Sequence, residues 1–539
     1  MKIATETSVD RRQVLTGTAY GAGLLAAGGL SLSSIASAAS PKHVVAKTKA
    51  GSIGGVVEQG VNIFKGIPYG GDTRQRRFLP AAPPEAWKKV RDTLEFGPSC
   101  PQPNTSDKTG EDCLVLNVFT PALRDGGKRP VMVWFHGGEY SSGSSSSSLY
   151  DGSQLCRRGD VVVVTVNHRL NAFGHLYLAR LGGPQQFATS GNVGILDLVQ
   201  ALTWVRDHAA EFGGDPNTVM VFGQSGGGAK IATLMAMPAA RGLFHRAATM
   251  SGQQVTAAGP RSSTLRAKAF LDALKVGHGD VARLNSLDTA QLVEASKVPD
   301  ATMIGRSVYW GPVLDFDALP RHPFYPDAPP QSAGIPMIIG NTHDETIAFL
   351  GNQPGVRDLT WEQLPERLLP ELLVDIEPEY VIAEYRKLYP QLNASEVFFA
   401  ATTAGRSWRG AIIEAEMRAS AGTPAYAYQL DYRSPIEGGK YGAQHAMDIP
   451  LVFDNIKQPT SRSGTGPQAQ KAADQMSDAF IAFARTGNPN HKGIPQWKPY
   501  ELSNRSTMVF NSESTLVDDP RGAERRLFAQ VPYIQRGTC

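Results

Sequence analysis

Two apolar segments of different character flank one polar turn near the middle of the chain. Residues 219–222 (VMVF) are β-branched, aromatic or Met, and residues 229–237 are largely apolar and contain neither Gly nor Pro. Between them lies Gly223-Gln224-Ser225-Gly226-Gly227. This pattern predicts a strand, a very tight turn and a helix, with Ser225 at the apex of the turn.

The remaining apolar segments predict the architecture around this turn. Residues 131–135 and 161–166 are almost wholly apolar, which is typical of strands buried on both faces. Residues 195–212 carry apolar side chains at helical spacing. Further strands are predicted at 44–45, 53–57, 61–64, 114–119, 336–339 and 425–429, the first three forming an antiparallel hairpin. The order of elements predicts an α/β fold, a large, mostly parallel sheet with helices on both faces.

Two long segments of the chain lack a strand pattern. Residues from about 260 to 333 and from about 358 to 421 are polar and are predicted to be mainly helical. We interpret both as insertions that cover a site at the edge of the sheet.

The turn at Ser225 favours a nucleophile. Its geometry forces the serine into a strained backbone conformation and requires small residues two positions before and after it. The hydroxyl then stands at a helix N-terminus, where N–H groups and the helix dipole stabilise developing negative charge. The alternative, a phosphate-binding loop, lacks the Lys-Ser/Thr pair that should follow.

A second glycine pair follows the strand at 131–135. His136-Gly137-Gly138 stands directly past its carboxyl end, where parallel sheets bind ligands. Paired glycines allow backbone N–H groups to approach a ligand closely. Gly137 and Gly138 are therefore predicted to be oxyanion donors, and His136 a positioning residue.

A serine nucleophile needs a base, and the base needs a carboxylate that fixes its tautomer. On this fold the chain order is nucleophile, acid, histidine. Asp344 and Glu345 follow the strand predicted at 336–339, and the residues alone do not choose between them. Of eleven histidines, only His445 and His491 lie further along. His491 stands in a polar turn, so His445 is the predicted base.

Composition excludes several classes of protein. The chain has 539 residues, 41% of them hydrophobic, and a net charge of +3, as in ordinary globular proteins. It has no basic block or basic amphipathic helix, so no nucleic-acid partner is expected.

The N-terminus resembles an export signal. Arg11-Arg12 precedes a mildly apolar run at about 14–30, and Ala36-Ser37-Ala38 forms a cleavage triplet. We predict a signal peptide of twin-arginine type over 1–38 and a mature domain over 39–539, located in the periplasm or secreted. The apolar run is too short and too weakly hydrophobic for a stable membrane anchor.

Several motifs resemble those of type-B carboxylesterases, the α/β-hydrolase family that includes cholinesterases and bacterial para-nitrobenzyl esterases. Residues 212–227 match the family's serine signature, and residues 111–117 (EDCLVLN) resemble its second signature. Further similar segments are 64–69, 167–170, 191–194, 244–252 and 483–490, with Trp497. The resemblance extends from about residue 43 to 530, as one catalytic domain.

The resemblance implies roles that the residues alone leave open. It makes Glu345 the acid and His445 the base of Ser225, with Gly137, Gly138 and Gly226 as oxyanion donors. Ser251 then lies near the acid, and Gln224 beside the nucleophile. A disulfide between Cys100 and Cys113 is implied, whereas Cys156 and Cys539 are expected to be free thiols. No metal or organic cofactor is implied.

The expected activity is hydrolysis of a carboxylic ester through an acyl-enzyme on Ser225. The expected partner is a small or medium ester. Choline esters are disfavoured, because Gln224 replaces the glutamate of cholinesterases and residues 100–113 contain no aromatic ring to bind a cation. The alternatives are a bulky or multi-ester substrate (phthalate- or mycotoxin-type), a carbamate or amide, and a non-catalytic binding protein. The complete set of Ser225, Glu345 and His445 argues against the last of these.

Overall fold

A sheet of thirteen strands organises the residues that the computed structural model describes, 42–182, 185–303 and 306–537. The strands are β1 Lys42–Lys47, β2 Ser52–Glu58, β3 Val61–Pro68, β4 Arg91–Asp92, β5 Val115–Thr120, β6 Arg129–Phe135, β7 Val162–Val166, β8 Gly214–Gln224, β9 Arg246–Met250, β10 Met337–Thr342, β11 Ala425–Leu430, β12 Ser506–Phe510 and β13 Thr515–Asp518.

The centre of the sheet is parallel and its edges are antiparallel. The strand order is β1-β2-β3-β5-β7-β6-β8-β9-β10-β11-β12-β13, with β4 paired to β2. All neighbours from β7 to β12 are parallel. The pairs β1–β2, β2–β3, β3–β5, β5–β7 and β12–β13 are antiparallel. The predicted mostly parallel sheet and the initial antiparallel hairpin are therefore confirmed.

Fourteen α-helices surround the sheet in the described ranges. They are α1 Ser153–Gly159, α2 Asn171–His175, α3 Val193–His208, α4 Gly226–Met235, α5 Pro260–Ala273, α6 Thr289–Ala295, α7 Ile347–Leu350, α8 Leu364–Leu368, α9 Pro378–Leu388, α10 Ala394–Thr403, α11 Arg409–Ser420, α12 Asp448–Val452, α13 Pro467–Thr486 and α14 Gly522–Phe528. A π-helical turn, Ala404–Trp408, joins α10 to α11.

The central strands are apolar because both of their faces are covered. Successive side chains of a strand point to opposite faces. Val133 and Val221 belong to a core with α3 and α4, whereas Trp134 and Phe222 belong to a second core with α13. Both faces of β6 and β8 are thus buried, as their uninterrupted apolar sequences predict.

The two predicted insertions differ in structure. The later one contains α8 to α11 and has a core of its own around Leu364, Val381 and Phe398. The earlier one contains only α5 and α6, and the prediction of a mainly helical segment up to residue 333 is wrong beyond α6. Seven prolines between positions 312 and 336 explain this, because each removes a helix hydrogen-bond donor.

Contacts between Cα atoms group Pro41–Cys539 into one unit. The predicted signal peptide over 1–38 and the terminal Cys539 lie outside the described residues. None of the helices in the described ranges is long and apolar enough to cross a membrane.

Candidate active site

Ser225 occupies the strained turn that its neighbours predict. It stands between the end of β8 and the start of α4 with φ 57° and ψ −128°, a conformation that few non-glycine residues adopt. A Cβ on Gly223 would lie 2.7 Å from the carbonyl carbon of Gly227, and one on Gly227 would lie 2.0 Å from the carbonyl oxygen of Phe135. The small residues on either side of Ser225 are thus required by close backbone packing.

His445 and Glu345 form a hydrogen-bonded pair beside this turn. The Nδ1 atom of His445 contacts Oε2 of Glu345 in a short hydrogen bond. The other carboxylate oxygen of Glu345 accepts from the Thr342 backbone N–H at 2.8 Å and from the Asn341 amide at 3.1 Å. The buried carboxylate is therefore held in one orientation, and it fixes the orientation of the imidazole.

The two adjacent carboxylates have different partners. Burial alone raises the pKa of Glu345, but the His445 charge and hydrogen bonds outweigh burial and bring this pKa below its ordinary value. Asp344 instead contacts His343 at 2.7 Å and Arg433 at 2.8 Å. Of the two carboxylates that the sequence left open, Glu345 is thus the one that contacts His445.

The side chain of Gln224 contacts the other ring nitrogen of His445. Its side-chain amide nitrogen lies 3.0 Å from His445 Nε2. With the imidazole neutral and its proton on Nδ1, facing Glu345, Nε2 is the acceptor of this contact. In this resting arrangement Ser225 can transfer a proton to His445 only after the amide leaves Nε2.

The glycine loop after β6 packs directly on the Ser225 turn. A Cβ on Gly137 would lie 3.1 Å from the Ser225 Cβ, and one on Gly226 would lie 2.1 Å from the Glu139 carbonyl oxygen. The carbonyl oxygen of the next glycine, Gly138, accepts from the backbone N–H groups at positions 141 and 142. The three predicted oxyanion donors therefore belong to two backbone segments in contact with each other.

A buried lysine donates a hydrogen bond to the backbone just before the two glycines. Lys230, on α4, donates from Nζ to the carbonyl oxygen of His136 at 3.0 Å. Burial lowers the pKa of Lys230 to about 7. Burial, followed by the charge of Lys230, lowers the pKa of His136 to about 3. So low a pKa leaves His136 uncharged near neutral pH, and its positioning role stays a prediction.

Ser251, at the end of β9, also borders the Glu345 carboxylate. Its hydroxyl lowers the pKa of Glu345, although it makes no hydrogen bond of good geometry within the described residues. The residue thus lies where the resemblance expects it, beside the acid.

The predicted disulfide is absent from this structure. Cys100 and Cys113 are buried thiols that lie side by side, and their hydrogen bond, together with burial, raises the pKa of Cys113. The Cys100 sulfur also accepts from the Leu170 backbone N–H at 3.2 Å. The expected proximity is present, but the two sulfurs are not bonded. Cys156 is a buried free thiol, as expected.

Ser225 and His445 line one pocket that encloses about 750 Å³, including its open mouth. The sequence alone predicts neither the aromatic nor the cationic part of its lining. The insertions supply Tyr309 and Arg406, the C-terminal segment supplies Tyr533 and Arg536, and α7 supplies Phe349. No sequence signal marks them: all except Phe349, which stands four residues after Glu345, are distant along the chain from the motifs. Within the described part of the chain, no group of three or more His, Cys, Asp or Glu side chains is arranged to hold a metal.

Known proteins of the same fold match nearly the whole chain. The model of the carboxylesterase family matches residues 42–528. The chain belongs to the carboxylesterase family. Para-nitrobenzyl esterase of Bacillus subtilis is 34% identical over 504 residues, which cover 90% of this chain and 98% of the relative. Phenmedipham hydrolase of Pseudarthrobacter oxydans is 32% identical, with 88% and 96% covered.

Solved carboxylesterase structures agree with this assignment. A carboxylesterase of Geobacillus stearothermophilus superposes with a TM-score of 0.80 and 37% identity, and the match covers 90% of this chain and 99% of the other. This carboxylesterase therefore has the α/β-hydrolase fold and hydrolyses small-molecule carboxylic esters by the serine mechanism general to the family. The predicted fold and enzyme class are confirmed, and the comparisons favour neither a carbamate or amide target nor a non-catalytic role.

Proposed function

We propose that Ser225, His445 and Glu345 perform ester hydrolysis in this protein. Ser225 attacks the ester carbonyl while His445 Nε2 takes its proton, and Glu345 stabilises the imidazolium that forms. The backbone N–H groups of Gly137, Gly138 and Gly226 bind the oxyanion. His445 then protonates the leaving alcohol, which departs and leaves an acyl group on Ser225.

The second half of the reaction repeats these roles with water. His445 removes a proton from a water molecule, whose oxygen attacks the acyl carbon. Collapse of the tetrahedral intermediate releases the acid, and the proton on His445 returns to Ser225. The observation that supports this proposal is the Glu345–His445 hydrogen bond, because His445 lines the same pocket as Ser225, which stands on a strained strand-to-helix turn.

Hydrolysis of para-nitrophenyl acyl esters of two to sixteen carbons tests the proposal. The wild-type protein is expected to hydrolyse the short esters fastest, since the preferred substrate in this proposal is a small or medium ester. Ser225→Ala is expected to abolish turnover while the protein still folds, as thermal unfolding would show. Normal turnover by this variant would overturn the assignment of the nucleophile.

We also propose that residues 1–38 direct export and are removed, which leaves residues 39–539 as the mature enzyme without a membrane anchor. The paired arginines and the Ala-Ser-Ala triplet support this proposal. In an oxidising compartment the neighbouring thiols of Cys100 and Cys113 could then be joined as a disulfide. Mass spectrometry of protein recovered from the periplasm or medium, before and after reduction and alkylation, tests both points. Recovery of an uncleaved chain in the cytoplasm, with Cys100 and Cys113 both alkylated without prior reduction, would contradict them.

A further inference from the structure

Arg406 is a cation inside the active-site pocket. It stands on the π-helical turn Ala404–Trp408, a rare conformation that is frequent at functional sites. Its guanidinium carbon lies 5.0 Å from the ring centroid of Phe349, and that ring lies 4.8 Å from the imidazole of His445. A single aromatic ring therefore separates this cation from the predicted base.

The charge of Arg406 is incompletely compensated. Within the described residues its ion-pair partner is Glu371, at 3.8 Å, and the same carboxylate oxygen also lies 4.0 Å from Arg306. A charge-assisted hydrogen bond is shorter, about 2.7–2.9 Å. Desolvation, followed by the charge of Arg536, disfavours its charged form and lowers the pKa of Arg406. The guanidinium thus lies in a pocket wall without a closely bound anion.

The second arginine of the pocket is already neutralised. Arg536, from the C-terminal segment, pairs at 2.6 Å with Glu139. Glu139 directly follows the predicted oxyanion donors Gly137 and Gly138. Three guanidiniums, those of Arg306, Arg406 and Arg536, therefore face two carboxylates, those of Glu139 and Glu371. The cluster has an excess of one positive charge. Of its two arginines that line the pocket, Arg406 is the one without a close carboxylate partner.

We propose that the pocket selects esters that bear a free carboxylate, with Arg406 as the residue that binds it. This inference rests on the proposed function, because it places the carboxylate in the same pocket as Ser225. A guanidinium binds a carboxylate through two parallel N–H donors. This interaction is stronger in a pocket that excludes water than in solution. Phe349 packs on one side of the guanidinium and restricts its orientation.

Two matched pairs of esters test the proposal and report which half of the ester carries the carboxylate. The first pair is mono-4-nitrophenyl glutarate and its methyl ester, which differ on the acyl side. The second pair is 4-acetoxybenzoate and its methyl ester, which differ on the alcohol side. For at least one pair we expect kcat/KM to favour the acid by tenfold or more, and this ratio to fall as salt is added.

Variants identify the cation. Arg406→Gln is expected to lower the acid-to-neutral ratio about tenfold. Glu139→Gln, which leaves Arg536 without its partner, is expected to raise the ratio. Arg386→Gln is the matched control, because Arg386 also stacks on an aromatic ring, Trp361 at 4.7 Å, but does not line the pocket. Its ratio is expected to equal that of the wild type.

The outcomes separate this inference from the proposed function. If the wild type hydrolyses the neutral esters but shows no acid preference, or if Arg406→Gln leaves the acid-to-neutral ratio unchanged, carboxylate recognition by Arg406 is wrong and the proposed function stands. If all four esters are hydrolysed as fast by Ser225→Ala as by the wild type, the proposed function fails, and the inference with it.

Discussion

Because Gly226 has no side chain, the two backbone segments of the candidate oxyanion site can pack in direct contact. The ideal Cβ position of Gly226 lies 2.1 Å from the carbonyl oxygen of Glu139 and 2.5 Å from its Cα, so any side chain here would push the glycine loop away from Ser225. The same loop is also held by Lys230, which donates a hydrogen bond to the carbonyl oxygen of His136. The contact therefore couples the two segments that supply the predicted oxyanion donors.

We expect Gly226→Ala to lower kcat on the order of 10²–10³, the effect of losing one oxyanion donor. KM for a short para-nitrophenyl ester is expected to change much less, because the oxyanion forms only after binding. Gly334→Ala is the matched control, because nothing lies within 4 Å of its Cβ position. Steady-state kinetics of both variants check the prediction, and an unchanged kcat for Gly226→Ala would contradict it.

At the scale of residues, the sequence predicted a catalytic residue where the chain order of the triad leaves few candidates for that role. His445 was reached by elimination, but the choice between Asp344 and Glu345 needed the path of the chain after β10. Arg406 and Arg536 were unpredictable, since their place in the pocket depends on a π-helical turn and on a C-terminal segment that returns to the site. The role of Glu139 is equally invisible in the sequence, because its partner Arg536 stands 397 residues further along the chain.

Between elements, a buried ion pair fixes α3 to the end of β7. Arg169 contacts both carboxylate oxygens of Asp197, with Nη2–Oδ1 at 2.6 Å and Nε–Oδ2 at 2.8 Å. The backbone N–H of Arg169 also donates to Oδ2 at 3.1 Å. Both side chains are almost fully buried, so neither charge can turn to solvent when the other is removed.

Asp197→Asn is therefore expected to lower the free energy of unfolding by about 3–5 kcal/mol, because the charge of Arg169 stays buried without its partner. Urea unfolding of the purified protein measures this loss. Glu294→Gln removes one partner of an exposed pair with Lys297 and is expected to cost less than about 1 kcal/mol. Equal losses in the two variants would contradict the structural role assigned to the buried pair.

Burial made several strands predictable but not all of them, since β9 and β12 are buried and neither was predicted. Strands covered on both faces, such as β6 and β7, have uninterrupted apolar sequences and were located within two residues. Residues 296–329 were assigned too much helix, because polarity alone does not separate a surface helix from a proline-rich loop. The short edge strand β13 was not predicted, and its exposed sequence has no strong alternation.

At the scale of the whole molecule, one buried acid makes stability depend on pH. Glu414, on α11, accepts from the Gln254 backbone N–H at 2.8 Å, and burial raises its pKa to about 8 from an ordinary value of 4.5. Between about pH 5 and pH 8 the unfolded chain has lost this proton and the folded protein retains it. The contribution of Glu414 to stability therefore falls as pH rises through this window.

Glu414→Gln has no proton to lose, so its Tm relative to wild type is expected to increase from pH 5 to pH 8, by roughly 2–5 °C. Thermal unfolding of both proteins in matched buffers measures this difference. Glu379→Gln, at an exposed position of α9, controls for the substitution itself. A difference in Tm that stays constant across this range would show that Glu414 is already ionised in the folded protein.

Covalent labelling of Ser225 tests the central claim most directly. The purified protein is treated with a fluorophosphonate, digested and analysed by mass spectrometry, with Ser225→Ala and Glu345→Gln in parallel. We predict one equivalent of label on the Ser225 peptide with concomitant loss of esterase activity, no label on Ser225→Ala, and much slower labelling of Glu345→Gln, because the imidazole loses its carboxylate. Full loss of activity with the label on another residue, or with Ser225 unlabelled, would contradict the account.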